Sequence, residues 1–286
     1  MPRADVNGIG IHYEDHGQGY PLIWSHEFAG DHRSWEAQVR FFSRRYRVIT
    51  YNARGYPPSD VPAELDAYTQ DQSVSDLHGL MVSLGIGKAH VGGLSMGGAI
   101  ALNFGLTHPD MARSLIVAGA GSGSVDPEVF RERVSFMAER LRGGGMAAMD
   151  DYTNGPARVQ LLRKDPKGYA EFRAQFLEHS NIGSANTFAG VQGRRPPIFD
   201  LEDKMRALTV PTLIMTGDED DPCIEPSIFM KRMIPNSGLV VIPQSGHPIN
   251  LEEPDLFNRA VLDFLTAVES GAWATRDHGR ETGSLV

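Results

Sequence analysis

The sequence predicts an α/β fold in which a mostly parallel central sheet is flanked by helices and carries a helical cap insertion. Three observations support this prediction. Short apolar runs alternate with helical segments in both end regions of the chain, which favours parallel strands joined by crossover helices. The alternation stops over residues 122–197, where the spacing is helical. A serine flanked by glycines follows one of the apolar runs and precedes a helical run.

The strands are predicted from short apolar runs that end at turn residues, and the helices from apolar residues at intervals of three and four. In residues 69–84, for example, Val74, Leu77, Met81 and Leu84 lie on one helical face. The predicted strands cover residues 9–14, 21–25, 47–51, 89–91, 114–118, 210–215 and 239–242, and the predicted helices cover residues 35–45, 69–84, 98–107, 130–141, 169–179 and 254–268.

The chain has 286 residues, of which 41% are hydrophobic, and this is enough for one substantial core with a smaller lobe. We predict that residues 1–121 and 198–271 form the core and that residues 122–197 form the cap. Residues 272–286 are polar with little periodicity, so we expect a flexible tail there.

The composition excludes several classes of function. The net charge is −9, and no cluster of lysine and arginine offers a surface for nucleic acid. Cys223 is the only cysteine, so neither an internal disulfide nor a cysteine metal site is expected. No stretch approaches the roughly 18 apolar residues of a membrane span, and the N-terminal residues lack an apolar signal core. We therefore predict a cytoplasmic protein with no membrane partner, no metal and no cofactor, and leave a homodimer open.

The stretch Gly93-Leu94-Ser95-Met96-Gly97 predicts a nucleophile on a tight strand-to-helix turn. The glycines let the backbone and the neighbouring elements approach closely, and the turn raises the serine hydroxyl above the edge of the sheet. The start of the following helix directs unpaired N–H groups and the positive end of its dipole toward the same place. The pentapeptide alone is only moderately specific, so its context decides the assignment.

A serine hydroxyl needs a neighbouring general base that is itself oriented by an acid. Two loops that follow later predicted strands supply both, in the order serine, acid, histidine that is expected for a nucleophile on such a turn. His247 lies in the second loop, and Asp218, Asp220 and Asp221 compete for the role of the acid in the first. Loops at the carboxyl ends of parallel strands meet at one edge of the sheet, so these residues are expected to converge with Ser95.

With these motifs the chain resembles the α/β-hydrolase-fold enzymes over residues 5–120 and 205–268. Residues 25–117 are most similar to the 3-oxoadipate enol-lactonases and related small esterases. The serine sets the chain apart from the haloalkane dehalogenases and epoxide hydrolases, which carry an aspartate at this turn. Three motifs carry the resemblance: the Ser95 turn, Gly246-His247 followed by Asn250, Glu252 and Pro254, and residues 52–60. The last of these resembles the family's Asp-x-Arg-Gly-x-Gly-x-Ser loop. Asn52 replaces its aspartate, and Pro57 replaces its second glycine.

The resemblance implies a role for each site residue. The family pattern Gly-x-x-Asp, counted from Gly217, selects Asp220 as the acid. The backbone N–H groups of Phe28 and Met96 are expected to form the oxyanion hole. His26 is expected to organise the loop that carries Phe28 by hydrogen bonding.

Glu27 stands where the family has a glycine, beside the expected oxyanion hole. A carboxylate there would oppose the developing negative charge by on the order of several kcal/mol unless it turns away, is protonated or is paired. Two interpretations stay open: Glu27 faces away or pairs with a residue such as Arg54, or it lines the pocket and positions a polar substrate. Glu27, His26 and Trp24 are accordingly the candidate substrate-binding residues.

The function expected from this resemblance is hydrolysis of a small-molecule carboxylic ester or lactone through an acyl-enzyme intermediate, without a cofactor. Two alternatives remain. A carbon–carbon bond hydrolase of the meta-cleavage type would use the same triad, although the glycine-rich oxyanion loop typical of that group is absent. A receptor on the same fold would keep the triad but bind a ligand instead of turning it over.

Overall fold

The computed structural model describes residues 2–275, and an eight-stranded sheet forms the centre of this part of the chain. The strands are β1 (Arg3–Val6), β2 (Ile9–His16), β3 (Tyr20–Ser25), β4 (Tyr46–Tyr51), β5 (Ala89–Leu94), β6 (Ala112–Ala118), β7 (Thr212–Gly217) and β8 (Ser237–Ile242). Their order across the sheet is β1-β2-β4-β3-β5-β6-β7-β8. The pairs β1–β2 and β2–β4 are antiparallel, and every pair from β4–β3 to β7–β8 is parallel.

Helices cover both faces of the sheet. They are α1 (Glu36–Phe42), α2 (Gln70–Ser83), α3 (Met96–Thr107), α4 (Pro127–Gly144), α5 (Val159–Lys164), α6 (Pro166–Leu177), α7 (Asn181–Asn186), α8 (Glu202–Arg206), α9 (Asp221–Met233), α10 (Ile249–Glu252) and α11 (Pro254–Glu269), with shorter 3-10 or π turns at His32–Trp35, Leu65–Ala67, Pro109–Met111, Met146–Asn154, Thr187–Gln192 and Ile198–Leu201. The helices α1 and α11 pack on one face, and α2, α3 and α9 pack on the other. The predicted fold class is confirmed. Within residues 2–275, no helix is both long and apolar enough to pass through a membrane.

Between β6 and β7 lies the helical insertion (residues 122–197), which contains α4 to α7. Its helices bury an apolar cluster of their own, and Phe28 and Ala29 from the loop after β3 belong to that cluster. Phe28 packs against Phe188, with ring centroids 3.8 Å apart. The insertion is therefore held against the loop after β3 by buried apolar contacts. The other buried members of the cluster are Val134, Ala138, Leu141, Met146, Met149, Leu161, Phe172, Phe176 and Ala185.

Helix α4 is longer than the predicted helix over residues 130–141, because capping residues set its ends. The Asp126 side chain accepts a hydrogen bond from the Val129 N–H, and Pro127 occupies the first helical position. Gly145, with a φ of 66°, ends the helix. Apolar periodicity marks only the middle of α4, so the prediction omitted about one turn at each end.

The two ends of the described chain also differ from the prediction. Strand β1 was missed because it has four residues, of which only Ala4 and Val6 are buried, and so gives little periodic signal. Near the other end, Trp273 packs edge-on against Phe264 with ring centroids 4.7 Å apart, so the start of the predicted tail contacts the core. The rest of that tail, residues 276–286, lies outside the described residues.

Candidate active site

Ser95 lies on a sharp turn between β5 and α3. Its φ of 57° and ψ of −112° fall in a region that residues other than glycine rarely adopt. The Ser95 N–H donates to the Ala118 carbonyl oxygen at 2.8 Å, which ties the turn to the end of β6. A Cβ atom at Gly97 would overlap the Ser25 carbonyl, and one at Gly93 would overlap Gly97. The glycines are therefore required by the close approach of three backbone segments around the serine.

His247 and Asp220 form a buried hydrogen-bonded pair in the loops that follow β8 and β7. Asp220 Oδ2 lies 2.7 Å from His247 Nδ1. Because an ionised carboxylate can only accept, Nδ1 is the donor, and the neutral ring carries its lone pair on Nε2. Asp220 is 1% exposed and His247 is 8% exposed, so the pair is shielded from water. A ring held in this way presents a basic nitrogen on the side opposite the carboxylate.

The structure separates the three aspartates that compete for this contact. Asp218 and Asp221 are exposed. Asp218 Oδ1 accepts a hydrogen bond from the Ser245 N–H at 3.2 Å, and Asp221 lies in the first turn of α9. Of the three, Asp220 is the one that reaches His247.

The backbone at the end of β6 brings the serine and the histidine to the same place. Ser95 is bonded to Ala118, and a Cβ atom at the next residue, Gly119, would lie 3.5 Å from both Asp220 Oδ2 and His247 Cε1. Among the hydrogen bonds of the described residues, none joins Ser95 Oγ to His247, whose bonded ring nitrogen is Nδ1. Catalytic hydrogen bonds are often long before substrate binds and tighten in the reacting complex. The three side chains thus lie at one edge of the sheet.

Two backbone N–H groups are available beside the serine. Met96 begins α3, and the first N–H groups of a helix have no partner within it. Phe28 is the second residue of the turn 27–30, which a hydrogen bond between its end residues closes at 3.2 Å. In residues 2–275, neither N–H donates a backbone hydrogen bond outside the regular elements. The His26 carbonyl oxygen would lie 2.8 Å from a Cβ atom at Gly97, so the turn packs against the start of α3.

His26 fixes the turn that carries Phe28. Its Nδ1 donates to the Glu27 carbonyl at 2.7 Å, and its Nε2 accepts from the Ala53 N–H at 3.0 Å. Tyr56 adds a hydrogen bond from its hydroxyl to the Phe28 carbonyl at 3.0 Å. Burial lowers the pKa of His26 to about 4, so the ring is neutral near pH 7. Because the ring is 1% exposed and both nitrogens are bonded, His26 organises the loop and does not face a substrate, which corrects its place among the substrate-binding candidates.

We expect acid to destabilise the protein through His26. Its folded-state pKa of about 4 lies below the ordinary value of 6.5, so the unfolded chain takes up the proton first. The stabilisation is complete above pH 6.5 and is lost as the pH falls toward 4. Urea unfolding at several pH values should therefore show a steeper loss of unfolding free energy over this range in the wild type than in His26→Gln. The exposed His16 is the matched control, and equal slopes in wild type and His26→Gln would contradict the expectation.

Glu27 is fully buried and forms a two-point ion pair with Arg158. Arg158 Nη1 lies 3.1 Å from Glu27 Oε1, and Arg158 Nη2 contacts Glu27 Oε2. Burial alone would raise the pKa of the Glu27 carboxyl, but the charge and hydrogen bonds of Arg158 outweigh it and hold the pKa below its ordinary value. The carboxylate is therefore ionised and paired, so it brings little net negative charge to the neighbourhood of Phe28.

This pairing corrects the suggestion that Arg54 is the partner of Glu27. Arg54 binds Asp76 instead, with Arg54 Nε 2.9 Å from Asp76 Oδ2. Arg158 comes from the helical insertion, and its guanidinium carbon lies 4.8 Å from the centroid of the Tyr152 ring. Arg158 was not among the residues predicted from the sequence. A glutamate in a glycine position left a paired cation as one of several possibilities, but no spacing marked which residue would supply it.

The segment of the insertion that carries Arg158 also contacts the loops of the histidine and the acid. The His247 N–H donates to the Ala157 carbonyl at 2.6 Å. Gln160 Nε2 donates to Glu219 Oε2 at 2.6 Å, in the loop that ends at Asp220. Residues 157–160 of the insertion therefore contact the turn 27–30, the loop that carries His247 and the loop that carries Asp220.

Trp24 does not reach the site, which corrects its prediction as a substrate-binding residue. It is fully buried and stacks on Trp35 with ring centroids 4.6 Å apart. Phe42 and Phe257 pack around the same ring, and a Cβ atom at Gly92 would overlap it. Neighbouring residues of a strand point to opposite faces, and the face that Trp24 occupies is the one covered by α1 and α11.

Two further titratable groups lie next to the histidine–aspartate pair. Glu252 Oε2 accepts from the Gly246 N–H at 2.9 Å, and burial raises the pKa of Glu252 to about 7. Cys223 lies with Asp220 and His247 in a group whose ligand atoms are within 4.8 Å of one another. Burial raises the pKa of the Cys223 thiol well above its ordinary value, and the thiol donates to the Gly119 carbonyl at 3.2 Å.

Comparison with known proteins extends the resemblance from motifs to most of the chain. The family model described as "Alpha/beta hydrolase family" matches residues 16–260. The chain is 27% identical over 261 residues to 3-oxoadipate enol-lactonase 1 of Acinetobacter baylyi, an alignment that covers 87% of this chain and 89% of that protein.

Solved structures give the same result. The enol-lactonase from Burkholderia xenovorans LB400 superposes with a TM-score of 0.83 at 28% identity, covering 93% of this chain and 100% of that one. A thermophilic esterase from Thermogutta terrifontis, solved with malate bound, gives a TM-score of 0.84 at 30% identity and covers 93% of this chain and 98% of its own. The family predicted from the sequence is confirmed: the chain belongs to the alpha/beta hydrolase family and is a hydrolase.

Proposed function

We propose that this hydrolase cleaves carboxylic esters or lactones through an acyl-enzyme intermediate on Ser95. Ser95 Oγ attacks the substrate carbonyl while His247 Nε2 takes its proton. The same ring returns that proton to the leaving alcohol and then activates the water that releases the acid. Asp220 orients the ring and stabilises its charged form. The N–H groups of Phe28 and Met96 hold the negative oxygen that forms on the carbonyl.

The observation that carries this proposal is the buried hydrogen bond of 2.7 Å between Asp220 and His247, at the edge of the sheet where Ser95 stands on its strained turn. Strained backbone of this kind persists only where the surrounding structure imposes it, and it is concentrated at functional sites. The relatives named as an enol-lactonase and an esterase support esters and lactones as the substrate class.

We further propose that the helical insertion acts as a cap over a core of residues 1–121 and 198–271. Ser95 and His247 are each 8% exposed, and the contacts of the insertion with the site loops support this division. The net charge of −9 is consistent with a small-molecule substrate rather than a nucleic acid, and we propose a cytoplasmic location.

The insertion also suggests which acyl groups the site accepts. Phe28 carries one of the proposed oxyanion donors, and its ring packs against Tyr152 and Phe188 with centroids 5.6 and 3.8 Å away. This aromatic group forms an apolar wall beside the proposed oxyanion hole. We expect short, largely apolar acyl groups to be preferred over charged ones.

Steady-state hydrolysis of a panel of 4-nitrophenyl esters and simple lactones tests the proposed function. Repeated turnover with a preference for short acyl chains is the expected result. A single slow burst that leaves a stable covalent adduct would favour a receptor instead. Cleavage of a vinylogous diketone together with inactivity on every ester would favour a carbon–carbon bond hydrolase.

Replacing Asp220 with asparagine is expected to lower kcat on the best of these esters by about 10⁴-fold. An asparagine amide can donate to His247 Nδ1, which moves the ring proton to Nε2 and leaves no base facing the serine. The matched control is Asp218→Asn, an exposed neighbour in the same loop, which should leave kcat nearly unchanged. Equal losses in the two variants would contradict the role of Asp220.

A further inference from the structure

A second cluster of chemically active side chains lies where β2 meets the loop that follows β3. His12 and Glu14 point to the same side of β2, because alternate residues of a strand share a face. His32 begins the 3-10 turn His32–Trp35. One ligand atom from each of the three residues lies within 4.8 Å of the other two. The two imidazole rings meet edge to face, with centroids 4.8 Å apart.

The hydrogen bonds of the two rings fix where their protons are. His12 Nδ1 lies 3.2 Å from the Pro2 carbonyl, which can only accept, so Nδ1 carries the proton. His32 Nδ1 lies 2.7 Å from Asn52 Oδ1. That oxygen also accepts from the His32 backbone N–H at 2.9 Å, while Asn52 Nδ2 donates to Pro57, so the amide orientation is settled. Both neutral rings therefore carry their lone pair on Nε2.

The Nε2 atoms of the two rings lie near the Glu14 carboxylate, and no hydrogen-bond donor among the described residues reaches them. His12 is only 2% exposed, and its Nε2 atom has no hydrogen-bond partner among the described residues. His32 Nε2 lies 3.5 Å from Glu14 Oε1. The other oxygen of Glu14 lies 3.1 Å from Nε2 of the exposed His16. Three acceptor groups that face one another repel unless a metal ion lies between them or a ring takes up a second proton.

We propose that His12, Glu14 and His32 bind a divalent transition-metal ion of the Zn²⁺ class. Two imidazole nitrogens and one carboxylate oxygen are ligands that zinc prefers, and a water would complete four-coordination on the exposed side of Glu14. In each ring the Nδ1–H donates to a protein oxygen, which is the outer contact that ligating histidines use to set their orientation.

The geometry needs only a small adjustment to close around an ion. Zinc–nitrogen bonds of about 2.0–2.1 Å place two tetrahedral ligands about 3.3 Å apart. The present separations of up to 4.8 Å therefore contract by about 1.5 Å at most. Glu14, whose side chain is 39% exposed, is free to move toward the rings, while hydrogen bonds at Nδ1 hold His12 and His32.

No metal was predicted from the sequence, because these ligands come from two loosely spaced segments and match no familiar ligand spacing. The bound ion would link β2 to His32, two residues after the turn 27–30. It would therefore stabilise the edge of the sheet and the loop that leads away from the proposed oxyanion hole. We expect saturating Zn²⁺ to raise Tm by about 5 °C.

Titration of the full chain with Co²⁺, followed by displacement with Zn²⁺, tests the proposal by visible absorption and by Tm. The expected result is one Co²⁺ per chain with d–d absorption bands that Zn²⁺ removes. Glu14→Gln should weaken binding by about tenfold or more, and His32→Gln should abolish it. Both side chains are partly exposed, so we expect the two variants to fold normally. Circular dichroism checks this.

The matched control is His78→Gln, which breaks the stacked histidine pair His78–His108, whose ring centroids are 4.5 Å apart. This variant should bind Co²⁺ as the wild type does. Absence of a one-to-one complex in the wild type would overturn the proposal. Binding that persists in His32→Gln would also overturn it, and a thiolate charge-transfer band would then identify Cys223 as the ligand.

Discussion

Replacing Ser95 with alanine is expected to lower kcat for an activated aryl ester by about 10⁴-fold or more while the fold is retained. The change removes one oxygen atom, and with it the group that forms the covalent intermediate. Some rate above the uncatalysed reaction should survive, because the N–H groups of Phe28 and Met96 still stabilise negative charge on the carbonyl. Steady-state kinetics with a 4-nitrophenyl ester, together with circular dichroism, measures the effect.

Ser83→Ala is the matched control, since it removes the same atom from an exposed residue near the end of α2. It should leave kcat and KM unchanged. The effects of Ser95→Ala and His247→Ala should not add, because residues that act as one unit lose the same step whichever is removed. Ester turnover in Ser95→Ala at a rate close to the wild type would contradict nucleophilic catalysis by Ser95.

Replacing Arg158 with alanine is expected to cost about 3–5 kcal/mol of unfolding free energy. The cost arises because Glu27 stays buried after its partner is gone, with a side chain that is 1% exposed. The unpaired carboxylate belongs to the residue before Phe28, so kcat should fall by about 10²-fold. Urea unfolding and ester kinetics on the same sample measure the two effects separately.

Removing both charges of the Glu27–Arg158 pair distinguishes the loss of the ion pair from the cost of leaving the Glu27 carboxylate buried and unpaired. Glu27→Met combined with Arg158→Met should recover most of the stability that Arg158→Ala loses, because apolar groups of similar size often replace a buried ion pair at little cost. Arg40→Ala breaks the exposed pair with Glu36 and should change stability little. A double variant as unstable as Arg158→Ala would show that the loss comes from packing and not from charge.

Glu27→Gln distinguishes the two interpretations of this residue. If Glu27 serves to hold the insertion through Arg158, the variant should change kcat/KM by a similar factor for all esters in a panel. A loss confined to polar substrates would instead support a pocket-lining role, which the paired and buried geometry does not favour.

The architecture was predictable because its signal is local. The central parallel strands β5, β6 and β7 are buried on both faces, so they read as short continuous apolar runs. Ser95, Asp220 and His247 follow the ends of β5, β7 and β8, and the structure brings Asp220 and His247 into contact. Element boundaries were less predictable, since caps such as Asp126 and Gly145 set them and not the apolar pattern.

Contacts between distant segments could not be read from the sequence. Glu27 and Arg158 are 131 positions apart, and their pairing depends on how the insertion is seated. The position of Trp24 could not be predicted for a different reason. Its closeness in sequence to the turn 27–30 does not indicate which face of β3 its side chain occupies. The cluster of His12, Glu14 and His32 could not be predicted, because the hydrogen bonds that set the tautomers of the two histidines exist only in the folded chain.

Labelling with a fluorophosphonate probe, followed by peptide mass spectrometry, tests most directly whether Ser95 is the nucleophile. The expected result is one adduct per chain on the peptide that contains Ser95, formed quickly in the wild type and slowly in His247→Ala. Labelling of a different residue, or an unlabelled protein that still turns over esters, would show that the chemistry takes place elsewhere.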